Sequence, residues 1–227
     1  MFKPHRLWFN SISLQGIERN NNEDYLFIRN HSKEKFAIFG VSDGMGGLED
    51  GEVASRIVCN SFDKAVINNA KHELNERAIL ANSAIFSEQT KRGATAAIAI
   101  IDKETLKFYG ISIGDSRIYK YSNLKTTQLT IDDIPRYNNS DKMRNYLTEA
   151  LGLRYQIHNL KIISGHISKN ESLLLTTDGI HSFLTEQDIQ ESMQLFSKTQ
   201  ILAELTEQAL NRGSNDDMTA IFVTLGN

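Results

Sequence analysis

A single cysteine, Cys59, stands in the 227-residue chain, so no disulfide framework can support the fold. That thiol falls in a helix-like segment, where a small core residue in a reducing cytoplasm is expected rather than a reactive group. Long hydrophobic runs are also missing. Lys3 and Arg6 open the sequence, but no continuous apolar region follows them, and the run at 96–101 is far too short to span a bilayer. Neither a signal peptide nor a membrane anchor is expected. A basic excess is absent too: the formal net charge is −3 and no basic stretch is interleaved with aromatics, which excludes a nucleic-acid or anionic-membrane surface. There is no internal repeat or low-complexity tract. What remains, 40% hydrophobic and 23% charged, suits one soluble domain over residues 1–227 with a sizeable core.

The most informative stretch is Phe39-Gly40-Val41-Ser42-Asp43-Gly44-Met45-Gly46-Gly47, an apolar run that ends in a carboxylate and then in glycines. It reads as a buried strand, a ligand and a tight loop, in which glycine permits positive φ and close backbone approach. Asp43 with the Gly44 carbonyl, and with no cysteine or histidine beside it, offers the hard oxygen donors that magnesium or manganese prefers. An ordinary Asp-Gly turn is the competing account. A calcium-binding helix-loop-helix is rejected, because Met45 and Gly47 lack oxygen side chains and Leu48 stands where glycine is needed. A dinucleotide fingerprint fails as well, since Glu49 replaces its third glycine.

Repetition favours the ligand over the turn. Asp115 follows the run ending Ser112-Ile113-Gly114, Asp178 ends Leu173-Leu174-Leu175-Thr176-Thr177, and Asp216 precedes the run from Met218 to Val223. Asp43 and Asp178 end their strands while Asp216 begins its own, so antiparallel pairing would bring all three to one edge, as a dinuclear site requires. Arg19, Glu23 and Asp24 share the polar segment between two strand-like runs, Leu7 to Leu14 and Tyr25 to Ile28. The guanidinium fork suits a phosphate and the acids suit metal-bound water, although a solvated charged loop would have the same composition.

Elsewhere, Ala54, Ile57, Val58, Phe62, Ala65 and Val66, then Leu74, Ala78, Ala81 and Ile85, recur at helical spacing and predict two helices. Residues 95–101, 106–113 and 117–121 read as a meander of consecutive antiparallel strands turning at 102–104. Thr95 is expected to be a β-branched strand residue, with a buried hydroxyl supporting the site as the alternative. A polar insert at about 130–146, including Asp132, Asp133, Pro135, Arg136, Asp141, Lys142 and Arg144, reads as mobile. Strands at 160–163, 173–177 and 218–225 and helices at 189–196 and 201–210 complete the pattern. An antiparallel sheet core with helices on both outer faces follows.

Taken together, Arg19-Asn20-Asn21-Asn22-Glu23-Asp24, Asp43-Gly44-Met45-Gly46-Gly47, Gly93-Ala94-Thr95, Gly114-Asp115-Ser116-Arg117, Ala150-Leu151-Gly152, Thr177-Asp178-Gly179 and Asp216-Asp217-Met218-Thr219 resemble the metal-dependent type 2C protein serine/threonine phosphatases, especially compact bacterial members. The resemblance covers nearly the whole chain, with the motifs in the family's order. It implies an α+β, four-layer αββα sandwich whose central antiparallel β-sandwich is flanked by helices. It implies two Mn2+ or Mg2+ ions at Asp43, the Gly44 carbonyl, Asp178 and Asp216, a possible third at Asp115 with Asp178, Arg19 on the phosphate, and Glu23 and Asp24 acting through bound water. The expected activity is hydrolysis of phosphoserine and phosphothreonine on proteins by metal-activated water, in a cytoplasmic signalling enzyme that opposes a cognate Ser/Thr kinase and is a monomer.

Two positions depart from the family: Asp217 stands where Asn is usual, and Met45 where many eukaryotic members carry histidine. The extra charge of Asp217 would either tighten metal binding or point away. Cysteine- and histidine-based phosphatase chemistry has no support, since no motif contains either residue. His181, three residues after Asp178, could protonate a leaving alkoxide, but a surface residue is the expectation. The alternatives are a pseudophosphatase that binds phosphoproteins without chemistry, and a two-metal hydrolase of small phosphate esters or nucleotides.

Overall fold

The computed structural model describes residues 4–45, 50–88, 92–135, 146–158 and 160–226. Two five-stranded antiparallel sheets pack face to face. One holds β1 (Leu7–Leu14), β10 (Met218–Leu225), β9 (Ser172–Thr176), β6 (Arg117–Ser122) and β7 (Lys125–Gln128), in that spatial order. The other holds β2 (Asp24–Arg29), β3 (Phe36–Asp43), β4 (Ala96–Asp102), β5 (Lys107–Ile113) and β8 (Lys161–His166). Helices α1 (Gly51–Asp63) and α2 (Ala70–Ser87) cover the second sheet, and α4 (Glu186–Leu195) and α5 (Ile201–Asn211) cover the first. A single turn, α3 (Asp178–His181), follows β9.

The layers follow from strand alternation. Phe39, Val41, Ala97, Ala99 and Ile101 point inward to meet Leu173, Leu175, Ile221 and Val223 of the facing sheet. Their neighbours Ile38, Ile98 and Ile100 point outward onto Val58, Phe62, Leu74 and Ile85. On the other side Leu174, Ala220 and Phe222 meet Ile189, Leu202 and Leu205. Central strands are buried on both faces and therefore read as unbroken apolar runs. Capping fixes the helix starts: the Asn69 side chain accepts from the N–H groups of Lys71 and His72, and Thr185 with Asp188 forms a reciprocal capping box. This is the four-layer αββα sandwich expected of the sequence.

The expected meander is wrong in one strand. β4 and β5 pair as a hairpin, but β6 leaves for the other sheet and pairs with β9 and β7. The turn between β5 and β6 makes the switch. Gly114 adopts φ +90°, and a Cβ there would lie 2.7 Å from the Thr95 methyl, so the chain can turn sharply only at glycine. Two acids expected in the polar insert at about 130–146 are held by hydrogen bonds. Asp133 donates its N–H to the Gly114 carbonyl and accepts the Gly114 N–H, while Asp132 grips Arg117 at 2.6 Å. Arg136, Asp141, Lys142 and Arg144 of the insert lie outside the described residues.

Candidate metal centre

The strand ends of both sheets meet at one edge of the sandwich and deliver the predicted acids there. Asp24 and Asp43 face each other as register partners at the ends of β2 and β3. Asp178 opens α3 directly after β9, and Asp216 lies two residues before β10. Asp115 sits in the β5–β6 turn. Asp178 and Asp43 lie close enough for repulsion from Asp178 to raise the Asp43 carboxyl, and Asp115 is close enough to Asp178 to be raised in the same way.

Backbone and hydroxyl contacts hold these groups in place. Asp43 donates its N–H to Thr95 Oγ1 at 2.9 Å, and its carbonyl accepts the Thr95 N–H at 2.8 Å. The same hydroxyl lies 2.6 Å from Ser116 Oγ, tying the end of β3 to the Asp115 turn. Thr95 is therefore the buried hydroxyl that supports the site, contrary to its expected role as a plain strand residue. Thr177, fully buried, donates to Asp24 Oδ2 at 2.7 Å and accepts the Thr219 N–H at 3.0 Å, so it links the two sheets at the acids. In sequence Thr177 is one more β-branched strand residue; only its place beside Asp178 signals more. Gly44 is needed for close approach rather than for positive φ, since a Cβ there would meet the Gly51 carbonyl at 2.2 Å.

Burial is the main force on the acids. It pushes Asp43 well above the ordinary carboxylate range, with repulsion from Asp24, Asp178, Asp115 and Asp216 adding to it. Asp24 is raised for the same reason, against the opposing Thr177 and Thr219 hydrogen bonds. Asp178 is raised by burial and by Asp216, while Asp115 is pushed up to about 7 by burial and then by Asp178. Glu23 is raised by burial and partly restored by Arg19. Arg19 lies beside the cluster, with Nη2 2.6 Å from Asp216 and Nη1 3.2 Å from Glu23. Burial would lower its pKa, but these carboxylates raise it, so the guanidinium stays charged. It lines a cleft of about 340 Å³ together with Glu18, Asn20, Asn21, Glu23 and Glu52.

Two oxygens test whether this site fits a divalent cation. Asp24 Oδ1 and Asp178 Oδ1 are buried without a hydrogen-bond partner, which is costly unless something positive meets them. The cluster offers only hard oxygen donors, as manganese and magnesium require. Among the described residues, no three His, Cys, Asp or Glu side chains form a ready-made cage, and Asp216 is held by Arg19. The donor set fits such ions once Asp216 exchanges that partner.

Two other groups are removed from the chemistry. His181 is not the expected surface residue: it is buried, its Nδ1 lies 2.8 Å from Thr176 Oγ1, and burial holds its pKa well below the usual imidazole value. Cys59 is a core residue as expected, with its thiol raised well above normal by burial.

A family model described as protein phosphatase 2C matches residues 17–219. The chain belongs to the protein phosphatase 2C family. Among its relatives, PhpP of Streptococcus pneumoniae is 24% identical over 241 residues, covering 92% of this chain and 94% of that protein. The serine/threonine protein phosphatase PstP of Mycobacterium tuberculosis is 25% identical over 91% of this chain, which spans only 43% of PstP. Solved structures of family members share the fold. Stp1 of Staphylococcus aureus superposes with a TM-score of 0.87 at 21% identity, covering 100% of this chain and 98% of that one. The PstP catalytic domain in complex with two manganese ions gives 0.82 at 23% identity, covering 97% and 99%. The activity class expected of the motifs, a metal-dependent protein phosphatase, agrees with this membership, and nothing in the comparisons favours the pseudophosphatase. Among the described residues no helix is long and apolar enough to cross a membrane.

Proposed function

We propose that this protein phosphatase 2C member hydrolyses phosphoserine and phosphothreonine on proteins, as a cytoplasmic monomer opposing a Ser/Thr kinase. The observation that carries it is that Asp24 and Asp178 each hold a buried, unpartnered carboxylate oxygen, with Asp43 and Asp216 near enough to repel one another and a charged arginine beside Asp216. Asp43, Asp178, Asp216 and the Gly44 carbonyl would hold two Mn2+ or Mg2+ ions, with Asp115 and Asp178 serving a third. When bound, such ions supply Lewis-acid activation of water and neutralise phosphoryl charge.

The chain's own residues do the rest. Glu23 and Asp24 would accept hydrogen bonds from the ions' hydration shell. Arg19, charged and forked, would bind two phosphoryl oxygens at the mouth of the cleft. Thr95 and Thr177 keep Asp43 and Asp24 in position, so these two acids need little reorganisation. Neither Cys59 nor His181 can serve as a protein nucleophile, one being buried in the core and the other bonded to Thr176. Assay of the purified protein on a phosphothreonine peptide with manganese, and again after chelation, tests this. Metal-restored hydrolysis is expected. Full activity after thorough chelation would refute it, and turnover confined to one small phosphate ester would favour a metabolite hydrolase.

A further inference from the structure

The polar loop that carries Arg19 runs from Gly16 to Glu23, and one side chain closes it. Asp217 Oδ1 accepts the Gly16 N–H at 2.8 Å, and Oδ2 accepts the Glu23 N–H at 2.7 Å. The residue is only 3% exposed, so water cannot replace either bond freely. From each end of this clamp a short route leads to Arg19. On one side the Gly16 carbonyl accepts the Arg19 N–H at 3.1 Å, and Gln15 donates to the Arg19 carbonyl at 2.7 Å. On the other, Glu23 accepts from the Arg19 guanidinium at 3.2 Å, while its carbonyl is fixed by the Gly44 N–H at 3.0 Å and the Ser55 hydroxyl at 2.6 Å.

We propose that Asp217 is the positioning residue of the phosphate-gripping loop, holding Arg19 through two backbone bonds that need a carboxylate. The reason lies in the donor count. A carboxylate has two accepting oxygens, whereas an amide has one oxygen and one NH2 group. Asparagine at 217 would satisfy one loop N–H and present its own donors to the other. Both carboxylate oxygens are engaged with the loop, and the Asp217 N–H donates to Asp216 Oδ1 at 2.8 Å. The departure from the family's asparagine thus acts on loop geometry, and Asp217 is not a metal ligand.

The proposal rests on Arg19 being the phosphate grip, and the test separates the two. Asp217→Asn preserves size and should raise KM for a phosphothreonine peptide about tenfold at saturating manganese, with kcat falling by less than about threefold. In an Arg19→Ala background the same change should add less than about twofold, because both act through one contact. Manganese affinity by calorimetry should be the same in Asp217→Asn as in the unaltered protein. Weakened manganese binding with unchanged KM, or effects that multiply in the double variant, would overturn the proposal. Should Asp217→Asn fail to fold, hydrogen exchange in the unaltered protein decides: the Gly16 and Glu23 amides should be protected, and free exchange at either refutes the clamp. If Arg19→Ala leaves KM unchanged while those amides are protected, the phosphate role of Arg19 falls, and with it the functional part of the proposal; the clamp itself stands.

Discussion

Neutralising Asp115 should stabilise the metal-free protein, and by an amount that depends on pH. In the folded chain this carboxyl titrates at about 7, against an ordinary value of 3.8, because it is desolvated and faces Asp178. The folded state therefore binds the more protons between these two values, so stability falls as pH rises through that window and levels off above it. A gap of about three pH units corresponds to at most ~4 kcal/mol at pH 8, and to almost nothing near pH 4. Asp115→Asn removes this titration. It also lessens the repulsion on Asp43, while Asp24, Asp43 and Asp178 keep a slope of their own. Thermal unfolding of chelator-treated proteins at several values between pH 5 and pH 8 would measure the difference. The variant should gain on the wild type as pH rises, reaching up to roughly 8–16 °C in Tm at about 2–4 °C per kcal/mol for a chain of this size. Saturating manganese should erase or reverse that gain, since the wild-type acid then has a partner. Parallel pH curves would refute the argument that Asp115 is held at the cost of folding energy.

Asp43→Asn, Asp178→Asn and Asp216→Asn should each abolish manganese-activated hydrolysis while circular dichroism shows an intact fold, because each removes an anionic ligand and relieves repulsion; full activity in any of them would remove that residue from the ligand set. Arg19→Lys keeps charge and loses the fork, so KM should rise by up to roughly 30-fold, or ~2 kcal/mol, with a smaller change in kcat. Steady-state kinetics on a phosphopeptide checks this, and equal constants would make Arg19 a solvated residue. Thr177→Val strips the donor from Asp24 and the acceptor from the Thr219 N–H, which should cost about 1–3 kcal/mol in urea unfolding, whereas Thr177→Ser should cost less than about 1.

Much of this was legible because the central strands are apolar on both faces and end in acids. β9 and β10 announce themselves as runs, and Asp178 and Asp216 stand out at their ends. β7 was missed because Lys125–Gln128 is a polar strand at a sheet edge, where no apolar pattern is required. The crossover after β5 was missed for a different reason. A glycine turn between two apolar runs has the same local sequence whether the strands pair or part, and the long-range partners of β6 decide which. Thr177 was hidden by its suitability for a strand, and the same suitability left the supporting hydroxyl of Thr95 only as the alternative, since a hydroxyl's partner is set by tertiary approach rather than by its neighbours. Asp217 could be seen as a departure from the family, but its partners Gly16 and Glu23 lie about two hundred positions away in the chain.

The pairing of β1 with β10 sets a schedule for synthesis. Leu7 has Leu225 as its register partner, so β1 must wait for nearly the whole described chain before its ladder can form. At about 5–20 residues per second, that delay is on the order of 10–40 s. The acids emerge in the order Asp24, Asp43, Asp115, Asp178 and Asp216, and the last arrives directly ahead of the strand that completes the sheet. A ribosome-bound chain lacking β10 has no neighbour for β1 and no strand to hold Asp216 against the other acids, so the candidate metal centre can assemble only after β10 has emerged.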